Sequence, residues 1–263
     1  MAVGIHHGQV DAASVAAQWP PWALTQLRHA VRLAARIEGR PQRIALAPEL
    51  YRLWFTPIVG RPIEPGRPWR PLPGLYRAAH AGSGSRVVVD GVATVERNDV
   101  ICRDGWWRTW GDAWRPTHSR AETVRLIMSP RPDALAQFVA TITAALLDQT
   151  APWLLACATD PRRLRRCGAA VLHVTDPEVL RPHTVAALRP LLRATAPPLA
   201  LPLHPGIAVA HNPDNGMSFG EHRCHLIALA LRTRPQPHAP LRAIADVFTA
   251  HGIDPARPHE SRP

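Results

Sequence analysis

The sequence predicts an α+β fold, in which a twisted, mainly antiparallel sheet is flanked by helices and preceded by an N-terminal helical segment. Short apolar segments separated by Asp-Gly pairs, as between 86 and 105, are typical of β-hairpins. Segments with apolar residues at helical spacing stand before and after them, without the regular strand–helix alternation of a parallel sheet. Hydrophobic residues make up 46% of the 263 residues, which is enough for a packed core.

The first third of the chain combines two helical patterns with a proline-rich segment. Residues 22–37 place apolar side chains at helical spacing, and a second helix is predicted over about 44–55. Residues 57–73 are rich in proline and indicate an irregular linker. We therefore predict a helical segment with its linker over 1–73 and a main domain over 74–263, with one continuous domain as the alternative.

The next segment predicts a hairpin followed by a cluster of tryptophans. A helical turn over 75–81 precedes two strands, 86–89 and 92–95, which an Asp-Gly pair connects. A short strand over 100–102 and a second Asp-Gly pair follow. The tryptophans beyond it are Trp106, Trp107, Trp110 and Trp114. Such a cluster favours a buried platform, and the lining of a peptide groove is the alternative.

The second half of the chain mixes strands and helices. The predicted strands are 122–128, 153–158, 169–174 and 207–210. The predicted helices are 133–148, an interrupted helix over 177–194, 219–231 and 238–251. The proline-rich tail after Ile253 is predicted to be loose. Arg125 stands inside an apolar strand, so we expect it to have either an internal carboxylate partner or a ligand.

Charge and composition exclude several classes of function. The formal net charge is +11, and the chain contains arginine but no lysine. A mechanism that needs a lysine base or a lysine Schiff base is therefore excluded. The positive charge indicates an anionic partner. Because the arginines are scattered and match no nucleic-acid-binding motif, nucleic acid is not the expected partner.

Neither a metal site nor a membrane segment is predicted. The four cysteines are far apart and form no CxxC pair, so we expect no zinc and no other cofactor. The sequence shows no secretion-signal pattern and no apolar stretch long enough to span a bilayer. A cytoplasmic location is the resulting expectation.

Two glycine-containing stretches, 76–86 and 215–223, predict a functional site. Each combines glycine, a hydroxyl group, histidine and arginine. Glycine lets the backbone approach a ligand, guanidinium suits phosphate, and imidazole exchanges protons near neutral pH, so we expect a phosphorylated ligand with proton transfer nearby. Ser218 and Glu221 have capping-box spacing. The plainer alternatives are that Gly82 caps a helix ending near His80 and that the capping box only starts a helix.

Several segments resemble the HopA-like type III effector family. They are LYRAAHAGSGSR (75–86), VRL (124–126), PWLLACATDP (152–161), AAVLHV (169–174) and PGIAVAHNPDNGMSFGEHRC (205–224). The resemblance extends to actinobacterial members that occur beside a kinase in class V lanthipeptide and thioamitide pathways. It implies a lyase that eliminates phosphate from phosphoserine or phosphothreonine in a precursor peptide, giving dehydroalanine or dehydrobutyrine. The implied partners are that peptide and an aminoglycoside-phosphotransferase-like kinase subunit.

The chain departs from the pattern of that family at three places. In the family a lysine often stands at the position of Ala156, an aspartate near Gly168, and an aromatic-Asn pair near Met128-Ser129. Another residue must then supply the base, or the chain is a non-catalytic partner. The candidates for a replacement base are His80, His211 and His222.

Elimination of phosphate needs a base for the Cα proton and cations for the leaving phosphate. His80 and His222 are predicted to transfer the proton, while Glu221 orients a histidine or caps the helix. Phosphate binding is assigned to Arg86, Arg125, Arg223, Arg77 and Ser83. This mechanism requires residues 80, 86, 125 and 223 to converge on one pocket.

The main alternative to a lyase is a non-catalytic subunit that binds the phosphopeptide or activates the kinase. The missing lysine favours this alternative. A nucleic-acid-binding protein is a third possibility that rests on charge alone, because the sequence lacks interleaved aromatic and basic residues.

Overall fold

The α+β prediction is confirmed by the structure, which has one large antiparallel sheet with helices packed on it. The computed structural model describes residues 18–39, 45–57, 72–82, 86–89, 93–96, 102–103, 105–114, 123–213, 215–233 and 239–261. The strands at 86–89, 93–96 and 102–103 are described by their backbone alone. In the described part of the chain, no helix is long and apolar enough to cross a membrane.

Most helices and strands follow one another along the chain in the predicted order, but the strands Trp106–Trp110 and Leu201–His204 and the short helix Pro161–Leu164 were not predicted. The α-helices are α1 Pro21–Glu38, α2 Leu46–Leu50, α3 Leu72–Ala79, α4 Leu135–Leu147, α5 Pro161–Leu164, α6 Pro182–Leu188, α7 Phe219–Thr233 and α8 Pro240–Ala250. The strands are β1 Arg86–Val89, β2 Ala93–Glu96, β3 Cys102–Arg103, β4 Trp106–Trp110, β5 Val124–Met128, β6 Trp153–Ala158, β7 Ala170–Val174, β8 Leu201–His204 and β9 Ile207–His211.

Seven of these strands form the main sheet, in the order β3-β4-β6-β7-β5-β9-β8. Each pair of neighbouring strands is antiparallel. β5 lies between β7 and β9, so that Leu126 faces Leu172 on one side and Val209 on the other. β1 and β2 form the predicted hairpin as a separate two-stranded sheet, and the turn between them lies outside the described residues.

Alternation of side chains along the strands gives the sheet two packed faces. Ile127 of β5 belongs to a core formed with the N-terminal helices and with α7 and α8, which we call core 1. Leu126 and Met128 belong to core 2, where α4 covers the opposite face. The two faces of β5 therefore support two different sets of helices.

The N-terminal helices are part of core 1. The Trp19 ring, just before α1, meets the Phe248 ring of α8 edge-on, with centroids 5.5 Å apart. The backbone N–H of Leu199 donates to Gln26 Oε1 of α1 at 2.7 Å. The predicted division between residues 73 and 74 falls inside α3.

Further local features differ from the prediction. The second predicted helix begins as α2 and continues as a π-helical turn, Tyr51–Phe55. The interrupted helix over 177–194 consists of the 3₁₀ turn Pro177–Val179, α6 and the 3₁₀ turn Arg189–Leu191, because proline ends regular helix. β8, an edge strand that contains proline, has no sequence pattern that predicts it.

Another difference is the tail after Ile253, where the prediction of a loose segment is wrong. Pro258 is buried and His259 is 8% exposed, and the tail pairs with the sheet through the N–H of His211, which donates to the His259 carbonyl at 2.9 Å. Side-chain bonds from α7 also hold this segment, so its proline content does not leave it loose.

Candidate functional site

His80 lies immediately after α3, and both of its ring nitrogens are engaged. The backbone N–H of Gly82 donates to Nδ1 at 2.9 Å, so the ring proton is on Nε2. Nε2 is 2.9 Å from Thr109 Oγ1 on β4 and donates to it. His80 is 2% exposed, and its ring meets the Trp107 ring edge-on with centroids 6.0 Å apart. In this conformation His80 holds the end of α3 against β4, beside core 2.

The other predicted site residues of the first stretch are either exposed or outside the described residues. Arg77 is exposed on α3. Ser83 and the side chain of Arg86 lie outside the described residues, so their predicted contacts with phosphate stay predictions. Within the tryptophan cluster, Trp107 has the role of a buried platform, because it is fully buried and its ring packs against Tyr76.

The second stretch forms the capping box that its spacing predicts. The Ser218 backbone N–H donates to Glu221 Oε2 at 2.9 Å, and the Glu221 backbone N–H donates to Ser218 Oγ at 3.3 Å. Glu221 thus caps the start of α7, one of the two roles that were left open for it.

Arg223 is fully buried and binds the C-terminal tail. Nε donates to the Pro258 carbonyl at 2.8 Å, and Nη2 donates to the Glu260 carbonyl at 2.6 Å and to Ser261 Oγ at 3.1 Å. The guanidinium lies over the Phe219 ring, 4.7 Å from its centroid. Burial lowers the pKa of Arg223 to about 9, so the group is still a cation near neutral pH. These contacts hold the tail against α7.

His222 is a neutral histidine beside the Arg223 guanidinium. Its Nδ1 accepts a hydrogen bond from Arg223 Nη1 at 2.9 Å, which places the ring proton on Nε2. Burial, followed by the charges of Arg223, His251 and His225, lowers the pKa of His222 to about 4. The ring is therefore almost entirely neutral near pH 7.

The structure does not bring His80 and Arg223 to one pocket. His80 contacts Trp107 of core 2, whereas Arg223 lies over Phe219 of core 1. The sheet lies between these two cores. This corrects the expectation of a shared pocket, while the individual roles assigned to His80 and His222 stay predictions.

A different set of basic and aromatic residues is brought together by the register of the sheet. Arg125 of β5 faces His173 of β7, His173 faces Leu154 of β6, and Leu154 faces Trp110 of β4. Directly paired residues point to the same side of a sheet, so these four form one row across four strands. All four side chains are half-buried.

The next row on this side of the sheet adds a second arginine. Arg108 of β4 faces Ala156 of β6, which in turn faces Val171 of β7. Trp114, which follows β4, meets the His173 ring edge-on with centroids 6.3 Å apart. We name the group formed by Arg108, Trp110, Trp114, Arg125 and His173 the Arg125 face.

Sequence reasoning found Arg125 but missed Arg108 and His173. The sequence did carry a signal for both residues. Each is a basic residue in a short strand, and the residues of that strand two positions away are apolar. The strand order, which the sequence pattern did not give, places His173 beside Arg125 and Arg108 on the same side of the sheet.

The Arg125 face offers chemistry that suits a phosphorylated ligand. Two guanidinium groups can form paired hydrogen bonds with phosphate oxygens, and an imidazole can exchange a proton. The indole rings supply apolar surface for the remainder of such a ligand. Basic and aromatic groups that share one half-buried side of the sheet are therefore a candidate binding site.

Comparison with known proteins defines the class of the chain. It has the α+β fold of bacterial effector proteins whose structures have been solved. The effector protein from Pseudomonas syringae pv. tomato strain DC3000 is similar with a TM-score of 0.65 and 15% sequence identity, over 94% of this chain and 99% of that chain. The effector protein from Pseudomonas syringae pv. syringae strain 61 is similar with a TM-score of 0.64 and 13% identity, over 92% and 98% of the two chains.

The sequence assigns the chain to a particular family. The profile of the HopA1 effector protein family matches residues 104–260, so the chain belongs to this family. The matched segment includes every residue of the Arg125 face, together with His222 and Arg223. No curated protein sequence matches the chain. The expected HopA-like membership is confirmed, and the actinobacterial branch stays a prediction.

Proposed function

We propose that this protein is a lyase that eliminates phosphate from phosphoserine or phosphothreonine in a precursor peptide. The observation that carries the proposal is the Arg125 face, where Arg125 and Arg108 stand on the same side of the sheet as His173. Phosphate would be held by the guanidinium groups, and the peptide would lie against the indole rings. The product would be dehydroalanine or dehydrobutyrine.

The resemblance to HopA-like lyases supports the same surface. The family position that often carries lysine is Ala156 here, and Ala156 lies between Arg108 and Val171 in the cross-strand row. A side chain at this position projects from the same side of the sheet as Arg125. The family pattern and the geometry therefore favour one location for the chemistry, although the lysine itself is missing.

A kinase subunit and the cytoplasm complete the proposed setting. The substrate carries a phosphate group that must be added before elimination, and an aminoglycoside-phosphotransferase-like kinase would supply it. The net charge of +11 favours a phosphorylated substrate, because attraction between opposite charges speeds the encounter.

A second candidate function is a non-catalytic subunit that holds the phosphopeptide or activates the kinase. Two observations favour it: the chain has no lysine, and the ring nitrogens of His80 are both engaged in structural hydrogen bonds. A subunit that holds the phosphopeptide would bind it on the Arg125 face as the lyase would, so these two differ only in whether the bound phosphate is released.

Incubation of the protein with a kinase-phosphorylated peptide tests the two functions. Lyase activity predicts free phosphate and a peptide whose mass has fallen by one phosphoric acid, whereas a binding subunit predicts a complex with unchanged phosphopeptide. Arg125→Gln should weaken phosphopeptide binding about 10- to 100-fold, the equivalent of one charge-assisted hydrogen-bonded contact. Arg181→Gln is the matched control, because Arg181 is exposed before α6.

Each outcome of this experiment separates the possibilities. Phosphate release by the protein without the kinase supports the lyase. Binding without release, at any protein concentration, supports the binding subunit. If Arg125→Gln and Arg181→Gln bind the phosphopeptide equally well, the Arg125 face is not the site.

A further inference from the structure

We infer that His173 is the base that removes the Cα proton of the phosphorylated residue. The inference rests on the proposed lyase function and names the residue that performs its first step. It is drawn from the position of His173 in the sheet, beside the arginine that would bind the phosphate.

The residues of the surrounding strands leave few alternatives to His173. None of the residues of β4, β5, β6, β7 or β9 is an aspartate, glutamate or lysine. Cys157 of β6 is buried in core 2, where burial raises the pKa of the thiol. Among the residues of these five strands, the imidazole side chains are those of His173 and His211.

His211 belongs to a different environment from His173. It lies at the end of β9, and its backbone N–H pairs with the tail at His259. The charges that act on its ring are those of Glu260 and Arg223, which belong to the tail and to its buried anchor. His173 instead faces Arg125 directly.

Cross-strand geometry sets the distance between the base and the phosphate site. Side chains on directly paired residues have Cβ atoms about 4.5–5.5 Å apart, so a phosphate bound by Arg125 lies next to the His173 ring. In phosphoserine only Cβ and the ester oxygen separate Cα from phosphorus. A substrate that places its phosphate on Arg125 therefore brings its Cα proton within reach of the imidazole. The edge-on contact with Trp114 limits the orientations of this ring.

The step is balanced without a cofactor. A neutral imidazole nitrogen takes the Cα proton, and the electron pair of the C–H bond forms the Cα=Cβ double bond. The Cβ–O bond breaks, and its electron pair leaves with the phosphate, to which Arg125 offers hydrogen bonds. The imidazolium then passes its proton to the released phosphate, which restores the neutral ring and leaves hydrogen phosphate.

Replacement of His173 by asparagine tests the inference. His173→Asn should lower the rate of phosphate release from a kinase-phosphorylated peptide by about 100-fold or more, the usual contribution of a general base. Its affinity for the phosphopeptide should stay within about 3-fold of the wild-type affinity, since Arg125 is intact. Added imidazole should restore part of the rate. His183→Asn is the matched control, because His183 is exposed on α6.

The pH dependence of the rate separates a base from a residue that only supports the site. Wild-type release should rise with pH through one titration and reach a plateau, whereas His173→Asn should lack this rise. His173→Gln provides a second variant if the asparagine side chain disturbs folding, which the far-UV circular dichroism spectrum and thermal melt report.

The outcomes distinguish failure of the inference from failure of the proposed function. If the wild-type protein releases phosphate and His173→Asn does so at a similar rate, another residue is the base and the lyase function stands. If binding and release fall in parallel in both folded variants, His173 positions the ligand and is not the base. If the wild-type protein releases no phosphate, the lyase function fails and this inference fails with it.

Discussion

The tail after α8 should depend on Arg223 for its attachment. Arg223→Met removes the guanidinium but keeps a long apolar side chain against Phe219. Each hydrogen bond from a charged group contributes about 1.5–3 kcal/mol, and Arg223 donates to two tail carbonyls and to one tail hydroxyl. Part of this stabilisation offsets the cost of burying the cation, which is about 5 kcal/mol because burial lowers the pKa from 12.5 to about 9.

The net effect of Arg223→Met should be a loss of about 3 kcal/mol, since the buried tail carbonyls lose a partner that is not replaced. Urea unfolding followed by tryptophan fluorescence measures this loss, and carboxypeptidase digestion of the native protein should become faster. Arg232→Met on the same helix is the control: Arg232 is exposed, and its weak 3.8 Å contact with Glu38 should contribute less than about 1 kcal/mol. Equal stability and equal digestion of the two variants would refute the role given to Arg223.

Three further predictions concern stability. The pKa of His222 in the folded protein lies below its ordinary value of 6.5, so its contribution to stability should be complete above pH 6.5. The free energy of unfolding should fall by up to about 3 kcal/mol as the pH decreases from 6.5 to 4. Urea unfolding of His222→Gln should show a weaker dependence on pH in this range. Gly220→Ala should lower the free energy of unfolding by about 1–3 kcal/mol, because the new methyl group meets the Phe55 ring. The methyl group of Gly74→Ala in α3 meets no neighbouring atom, so this variant should gain up to about 1 kcal/mol. Equal melting temperatures of the two variants would contradict this packing. Arg193→Gln should lower the free energy of unfolding by about 2 kcal/mol, since Arg193 donates to three carbonyls at the end of α5, and an unchanged urea midpoint would count against it.

Much of the fold could be predicted from the sequence, because its elements have strong local patterns. Trp153–Ala158 has the predicted bounds, and the capping box at Ser218 starts α7 with the expected hydrogen bonds. β8 was missed because a four-residue edge strand containing Pro202 has no pattern of its own, and it is defined only by its pairing with β9.

The candidate site was less predictable than the fold, because it depends on strand order. His80 and Arg223 stand in glycine-containing stretches that suggest ligand binding, yet each is buried and engaged in structural contacts. Arg125 and His173 are 48 positions apart and become neighbours only through the pairing of β5 with β7. A local pattern can identify residues with the right chemistry, but the register decides which of them meet.

The arginines of this lysine-free chain also explain why net charge is a poor guide to a binding site. Arg193 and Arg223 each donate to two or more backbone carbonyls, which a planar guanidinium does well and a lysine ammonium does less well. Burial lowers the pKa of both groups. Because their guanidinium groups donate to backbone carbonyls, these two arginines are less available to a ligand. Arg108 and Arg125 stand on a half-buried side of the sheet, beside aromatic rings and an imidazole. The total of +11 favours an anionic substrate in general, whereas this placement locates the site that we propose for its phosphate.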